Sequence, residues 1–137
     1  MYEKPFSLEV VGPDKVVFRS EATSLTAPGV EGMFQVLYNH APLLVQLGIG
    51  RITVKTVGGE DKDFAVSGGF VEVRNNHVVV LVDTVEASNE IDINRASAAK
   101  DRAWERLQHR TREIDVERAQ LALLRALNRI RVAGRAA

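Results

Sequence analysis

The sequence has 137 residues, of which 45% are hydrophobic and 26% are charged, a composition typical of a soluble globular protein with one ordinary domain or two small ones. This composition excludes a collagen, a disordered tail and a disulfide scaffold, and the absence of cysteine excludes thiol catalysis and zinc thiolate sites. Eighteen basic and eighteen acidic side chains give a net charge of zero. Because no apolar run is long enough to cross a bilayer and no leader-like segment begins the sequence, we expect neither export nor a membrane span from this chain alone.

The neutral total conceals two parts of opposite charge. Residues 1–90 contain seven basic and twelve acidic side chains, whereas residues 91–137 contain eleven basic and six acidic ones. Nine of the ten glycines and all four prolines lie in the first part, and ten of the thirteen arginines lie in the second. This change near Ser88 predicts two domains, residues 1–87 and residues 88–137.

Short segments rich in Val, Ile, Thr and Phe alternate with turn residues through the first domain. The segments are residues 7–11, 15–18, 24–27, 34–37, 51–57, 63–66, 70–74 and 77–82. Gly12-Pro13-Asp14, Gly58-Gly59 and Asn75-Asn76 favour tight reversals, so each predicts a hairpin. We interpret Gly68-Gly69 as a corner of the sheet, in preference to a bulge or a close backbone approach. Strands of this length and spacing predict an all-β sandwich.

The second domain contains an internal repeat. Residues 90–96, Glu-Ile-Asp-Ile-Asn-Arg-Ala, return as Glu-Ile-Asp-Val-Glu-Arg-Ala at residues 113–119. In both copies the aspartate, Asp92 or Asp115, is placed to cap a helix. Two helices joined by the polar stretch 108–112 predict an antiparallel hairpin. The expected fold class is therefore an all-β N-terminal sandwich followed by a C-terminal antiparallel two-helix hairpin.

Each predicted helix has an apolar face and a row of arginines. The expected apolar faces are Ile93, Ala96, Ala103, Trp104 and Leu107 on the first helix, and Val116, Ala119, Leu123, Ala126, Leu127 and Ile130 on the second. The arginine rows are Arg95, Arg102 and Arg106 on the first helix, and Arg118, Arg125 and Arg129 on the second. Because guanidinium groups on neighbouring helices repel one another, two adjacent rows favour an anion between them, either a nucleotide's phosphates or an acidic partner helix. For a single row, a merely solvated face is the alternative.

No other feature of the sequence predicts a catalytic centre or a metal site. The glycines form neither of the two phosphate-binding loop motifs. His40, His77 and His109 are isolated from one another and from a plausible nucleophile. Nucleic acid is the alternative anion for the arginines. However, Trp104 is the only aromatic residue among them, and the sequence contains no known DNA- or RNA-binding motif, so no nucleic-acid partner is expected.

Five segments, in this order, resemble those of one known family. They are residues 8–14 (Leu-Glu-Val-Val-Gly-Pro-Asp), residues 32–48 with Asn39-His40-Ala41-Pro42-Leu43-Leu44, residues 67–73 (Ser-Gly-Gly-Phe-Val-Glu-Val), residues 80–83 (Val-Leu-Val-Asp) and residues 91–96 (Ile-Asp-Ile-Asn-Arg-Ala). Together they resemble the epsilon subunit of the bacterial rotary, F-type ATP synthase, over essentially the whole chain. The stretches Met33-Phe34-Gln35 and Tyr38-Asn39 depart from the smaller, Gly- and Pro-containing residues expected before His40.

The resemblance implies a non-catalytic subunit of the central stalk in a proton-translocating ATP synthase. In that family the sandwich binds the gamma subunit and the membrane-embedded c-ring. The helical hairpin is mobile, and when extended toward the catalytic beta subunits it blocks ATP hydrolysis. The resemblance also implies a peripheral location at the cytoplasmic face of the bacterial plasma membrane, through the complex alone. A free-standing nucleotide-sensing or RNA-binding module is the alternative function.

Some bacterial members of the family bind ATP in the folded form, and the resemblance implies the same site here. Ile91, Asp92, Arg95 and Ala96 match its I/L-D-x-x-R-A pattern, and Glu86, Arg102, Arg125 and Arg129 match its other positions. Three of the arginines, Arg102, Arg125 and Arg129, would meet the phosphates, while Asp92 and the backbone near Ala96 would accept from the adenine amino group. ATP is then a regulatory ligand, and no cofactor is required. Glu31, Gly32 and His40 fall at the family's contacts with the c-ring or gamma, with a solvated loop as the alternative.

Overall fold

The computed structural model describes residues 4–109 and 115–135, and the chain divides into two compact units, residues 1–87 and residues 88–137. The first unit is a β-sandwich and the second contains two helices, which confirms the predicted fold class. Residues 110–114, which include part of the predicted connection and the start of the second repeat, lie outside the described residues.

Seven strands form the sandwich unit. They are β1 (Phe6–Val11), β2 (Val16–Gly29), β3 (Gly32–Val36), β4 (Leu43–Thr56), β5 (Asp61–Arg74), β6 (His77–Val82) and β7 (Val85–Ala87). The strand order is β1-β6-β5-β4-β2-β3, with β7 beside β5, and a further pairing of β1 with β2 closes the sheet on itself. Alternate side chains of β1, Phe6, Leu8 and Val10, are buried in a core shared with the other strands. Sheet closure therefore encloses the core between the strands.

The three predicted hairpins are confirmed. The turn at Gly12-Pro13-Asp14 joins β1 to β2, and the turn at Gly58-Gly59 joins β4 to β5. Asn75 and Asn76, at φ of 52° and 61°, join β5 to β6. Two consecutive residues with positive φ give the turn whose twist matches that of the flanking strands, which is why asparagines stand here.

Several predicted strands are wrong in extent. Apart from Lys15, the predicted segments 15–18 and 24–27 belong to the single strand β2, and 63–66 and 70–74 belong to β5. The strand β4 begins at Leu43, eight residues before the predicted start, and β7 was not predicted. Polar and glycine residues within these strands do not end them, because backbone hydrogen bonds to neighbouring strands do not depend on the side chain.

The glycine pair Gly68-Gly69 lies inside β5 and does not form a corner between two strands. Both residues have positive φ, +80° and +128°. A Cβ atom on Gly69 would collide with the carbonyl oxygen of Leu81 on β6. Gly69 is therefore a point of close backbone approach, which corrects the expected corner.

Two helices form the second unit, α1 (Ile93–Gln108) and α2 (Val116–Arg135), after a 3₁₀ turn at Ser88–Glu90. The Asp92 carboxylate accepts a hydrogen bond from the backbone N–H of Arg95 at 3.0 Å. The Asp115 carboxylate accepts from the N–H of Arg118 at 3.1 Å. Both predicted caps are confirmed, and each satisfies one of the N–H groups that a helix start leaves without a partner.

Small residues lie where the two helices pack against each other. The buried alanines recur every seven residues: Ala96 and Ala103 on α1, and Ala119, Ala126 and Ala133 on α2. This spacing keeps them on one face of each helix and brings the two backbones close. Seven residues separate the helices, so they run antiparallel. We call the face made by these alanines the alanine seam.

The alanine seam changes the expected apolar faces. The side chains of Ile93 and Trp104 are 51% and 56% exposed, and Leu127 is 37% exposed, so these three members of the expected apolar faces are not buried. Leu107 and Leu123 are half-buried. Because the close approach at the alanines leaves little room between the helices, the larger apolar side chains lie at the edges of the contact or outside it.

Candidate functional site

Seven of the eight residues assigned to the nucleotide site lie in the helical unit. They are Ile91, Asp92, Arg95, Ala96, Arg102, Arg125 and Arg129. The eighth, Glu86, lies half-buried in β7 of the sandwich unit, where its backbone pairs with Ala65. Ile91 and Ala96 are buried, and both flank the capping residue Asp92 at the start of α1.

One carboxylate oxygen of Asp92 is used in capping α1. The carbonyl oxygen of Asp92 also accepts the N–H of Ala96 at 3.0 Å, the ordinary helical hydrogen bond. The second carboxylate oxygen has the capacity to accept another hydrogen bond, since an ionised carboxylate has about four acceptor positions. Asp92 is exposed, so a bound amino group can reach that oxygen. Capping alone explains why an aspartate stands here, as it does at Asp115.

The six arginines of the two rows lie on one side of the hairpin. At about 100° per residue, each row is rotated by about 80° to 120° from its own alanine seam, in the same sense on both helices. The helices run antiparallel and their seams face each other, so an equal rotation in the same sense leads to the same side. We call this side, with Arg95, Arg102, Arg106, Arg118, Arg125 and Arg129, the arginine face.

The arginine face has little internal compensation of charge. Among the described residues, no carboxylate lies within the ion-pair distance of 4.0 Å from five of the six guanidinium groups, those of Arg95, Arg102, Arg106, Arg118 and Arg125. Arg125 is half-buried, as is Arg129, and the other four are exposed. Guanidinium groups in this arrangement bind phosphate or carboxylate through two parallel hydrogen bonds each.

A depression of about 310 Å³ lies along the last turns of α1 and is lined by Arg102, Glu105, Arg106 and His109. Its volume is at the lower end of the range for small-ligand clefts. Two of its four lining residues belong to the arginine face, and a third, Glu105, is a carboxylate.

The structure separates the three residues assigned to rotor contacts. Glu31 is exposed in the turn between β2 and β3, and Gly32, also exposed, is the first residue of β3. His40 lies in the loop between β3 and β4, where its Nδ1 is 2.7 Å from the carbonyl oxygen of Ala41. Because the five residues of β3 span about 13 Å, Gly32 and His40 lie at opposite ends of that strand. The adjacent Asn39 has a φ of 55°, and its N–H donates to the side chain of Asn76.

Sequence reasoning missed one surface of the sandwich unit. Leu44, Phe70 and Leu81 are 68%, 45% and 47% exposed on the neighbouring strands β4, β5 and β6. Phe70 pairs directly with Leu81, and Leu44 lies diagonally across from Phe70. We call these three residues the sheet patch. Alternation of residues 70–74 could have identified it, because Val71 and Val73 are buried and Phe70 must then face outward.

Within residues 4–109 and 115–135, no cluster of three or more His, Cys, Asp or Glu side chains is arranged to hold a metal ion. In the part of the chain that the structure describes, neither helix is long and apolar enough to span a membrane.

Comparisons with known proteins agree with the architecture of both units. Residues 5–88 match the family described as ATP synthase, Delta/Epsilon chain, beta-sandwich domain. Residues 89–134 match ATP synthase, Delta/Epsilon chain, long alpha-helix domain. Two similar solved chains are below 25% identity and support the fold alone. One, from the Euglena gracilis mitochondrial ATP synthase, has a TM-score of 0.78 and 22% identity, covering 90% of this chain and 79% of that chain. The other, from the Tetrahymena thermophila mitochondrial ATP synthase, has a TM-score of 0.59 and 16% identity, covering 99% and 98%.

Relatives with much higher identity identify the family. The ATP synthase epsilon chain of Syntrophomonas wolfei is 47% identical over 133 residues, covering 97% of each chain. That of Nitratidesulfovibrio vulgaris is 48% identical over 134 residues, covering 98% of this chain and 99% of the relative. The predicted resemblance is confirmed over nearly the full length: the chain belongs to the ATP synthase epsilon-chain family.

Proposed function

We propose that this chain is a non-catalytic central-stalk subunit of a bacterial, proton-translocating ATP synthase. The observation that carries the proposal is the near-complete coverage of epsilon chains at 47% identity, across both units. The solved chains of similar fold come from assemblies described as OSCP/F1/c-ring and central stalk/c-ring. As such a subunit, the chain associates with the cytoplasmic face of the plasma membrane through the complex.

The sandwich unit is the part that would bind the gamma subunit and the c-ring. Its sheet patch supports this role, because a contiguous group of exposed aromatic and aliphatic side chains favours a protein partner. We assign the sheet patch to gamma. Glu31, Gly32 and His40 remain candidates for contacts with the c-ring or gamma, at two separate positions on the unit.

The helical unit is the part that would regulate ATP hydrolysis. Its arginine face supports both of the anions that the family implies, the phosphates of ATP and the acidic segments of the catalytic beta subunits. Because the same guanidinium groups serve both, bound ATP would stabilise the compact hairpin by mass action and withdraw it from the catalytic subunits. ATP therefore acts as a regulatory ligand, and the chain has no catalytic role of its own.

Binding to purified gamma tests the assignment of the sheet patch. The variant Phe70→Asp places a charge in the centre of the patch, and we expect its affinity for gamma to fall by about 10-fold or more. Val57→Asp is the matched control, because Val57 is 56% exposed in the turn between β4 and β5. Failure of the unaltered chain to bind gamma would overturn the proposed function. Equal affinities of the two variants would overturn only the assignment of the patch.

A further inference from the structure

The hairpin has an exposed apolar surface on the side opposite its arginine face. Measured from the alanine seams, Ile93 and Trp104 on α1 are rotated by about 60° to 80°, and Leu124 and Leu127 on α2 by about 80° to 140°. The sense of rotation is opposite to that of the arginine rows on both helices. Trp104 and Leu124 are 56% and 52% exposed. We call these four residues the apolar face.

Among the side chains that the structure describes, the charges bordering the apolar face balance one another. Lys100 and Asp101 lie beside it on α1, 3.9 Å apart, and Glu117 and Arg131 lie beside it on α2. This contrasts with the arginine face, where every one of the six residues is positive. A neutral surface with four large apolar side chains is suited to another neutral, apolar surface.

The positions of these charges have a reversal symmetry along the helices. Leu124 lies midway between Glu117 and Arg131, seven residues from each. The neighbours Lys100 and Asp101 lie at the midpoint of α1, which extends from Ile93 to Gln108. Consider a two-fold axis that passes these midpoints perpendicular to the helices. It places Glu117 of one copy at the height of Arg131 of the other, and Lys100 of one copy at the height of Asp101 of the other.

We propose that a second copy of this chain docks on the apolar face, with the two hairpins antiparallel. In this arrangement α2 lies against α2 of the second copy, so Leu124 meets Leu124 and each Glu117 meets the opposite Arg131. On α1, Lys100 of one copy lies level with Asp101 of the other. A parallel pair, in which α1 faces α2 of the second copy, places Lys100 against Leu124 and forms none of these ion pairs.

Self-association of this kind belongs to the chain outside an assembled synthase and goes beyond the proposed function. The face is small, so we expect a weak dimer, with a dissociation constant on the order of 10 to 1,000 µM. The arginine face lies on the other side of the hairpin and stays open in the pair. A bound anion therefore does not block self-association.

Sedimentation equilibrium of the full chain tests the proposal, without ATP and across its soluble concentration range. We expect a monomer–dimer equilibrium that Leu124→Asp weakens by about 10-fold or more, since this change buries two like charges on the two-fold axis. Leu121→Asp is the matched control, because Leu121 is 41% exposed on α2 but faces away from α1, beyond the apolar face. Circular dichroism establishes that each variant is folded.

A charge exchange tests the antiparallel orientation. Glu117→Arg should weaken the dimer, because it places two positive charges opposite each other. The double variant with Glu117→Arg and Arg131→Glu should restore the dimer, because the two members of each ion pair come from different copies and are then again of opposite charge. Trp104 fluorescence should shift to shorter wavelength as the dimer forms, since its ring then leaves water. A monomer at every concentration, or a dimer that Leu124→Asp leaves intact, would overturn the proposal. Lack of rescue by the double variant would overturn the antiparallel pairing.

Discussion

Replacing Gly69 with alanine is expected to lower the free energy of unfolding by about 3 kcal/mol or more. Gly69 has a φ of +128°, a conformation that side chains other than glycine rarely adopt. An added Cβ would also collide with the carbonyl oxygen of Leu81 and crowd the backbone of Val82 on β6. Because the atoms that the Cβ would contact belong to the backbone of the sheet, the collision can be relieved only if the pairing of β5 with β6 shifts.

Gly58→Ala is the matched control for this prediction. Gly58 lies in the turn between β4 and β5, has no positive φ, and nothing lies within 4 Å of the position of an added Cβ. The control should change stability by less than about 1 kcal/mol, because it mainly restricts the unfolded chain. Urea unfolding followed by circular dichroism measures both variants. Equal stability of Gly69→Ala and the unaltered chain would show that β5 and β6 do not approach as closely as described.

The second large effect is expected on ATP binding. Arg125→Ala should raise the dissociation constant for ATP by about 10-fold or more, since a hydrogen-bonded ion pair with phosphate contributes about 1.5 to 3 kcal/mol. Arg125 is half-buried and has no carboxylate partner among the described residues, so its guanidinium group is available for a ligand. Isothermal titration at constant ionic strength measures the change.

Arg131→Ala is the control for Arg125→Ala. Both variants remove one positive charge from α2, but Arg131 lies beside the apolar face and not on the arginine face. We expect its dissociation constant for ATP to stay within about twofold of that of the unaltered chain. Equal weakening by the two variants would contradict a specific site on the arginine face. Salt-sensitive binding of RNA with no response to ATP would favour the alternative of an RNA-binding module.

The local structure could be predicted where a short segment determines its own conformation. The paired asparagines Asn75 and Asn76 adopt the positive φ that the predicted hairpin requires. Asp92 and Asp115 cap their helices through their own backbone neighbours three residues later. In each case the interacting groups lie within a few residues of one another, so the pattern of residue types is sufficient.

Sequence reasoning did not identify which large apolar side chains are exposed, because exposure depends on how neighbouring helices and strands pack. Helical periodicity placed Trp104 near the apolar positions of α1 but gave no information on how close α2 comes. The alanines bring the helices together and leave Trp104 outside. Likewise, Phe70 is a residue type usually buried, yet its register opposite Leu81 directs it away from the core. The same two errors concealed the apolar face and the sheet patch.

The most direct test of a regulatory role is the rate of ATP hydrolysis by the assembled synthase. The rate is compared between complexes that contain the full chain and complexes in which the chain ends at residue 87, with equal incorporation of both. The proposed function predicts a rate about 5-fold higher or more without residues 88–137, because the helical unit can then no longer reach the catalytic subunits. An unchanged rate would contradict regulation of hydrolysis by the hairpin.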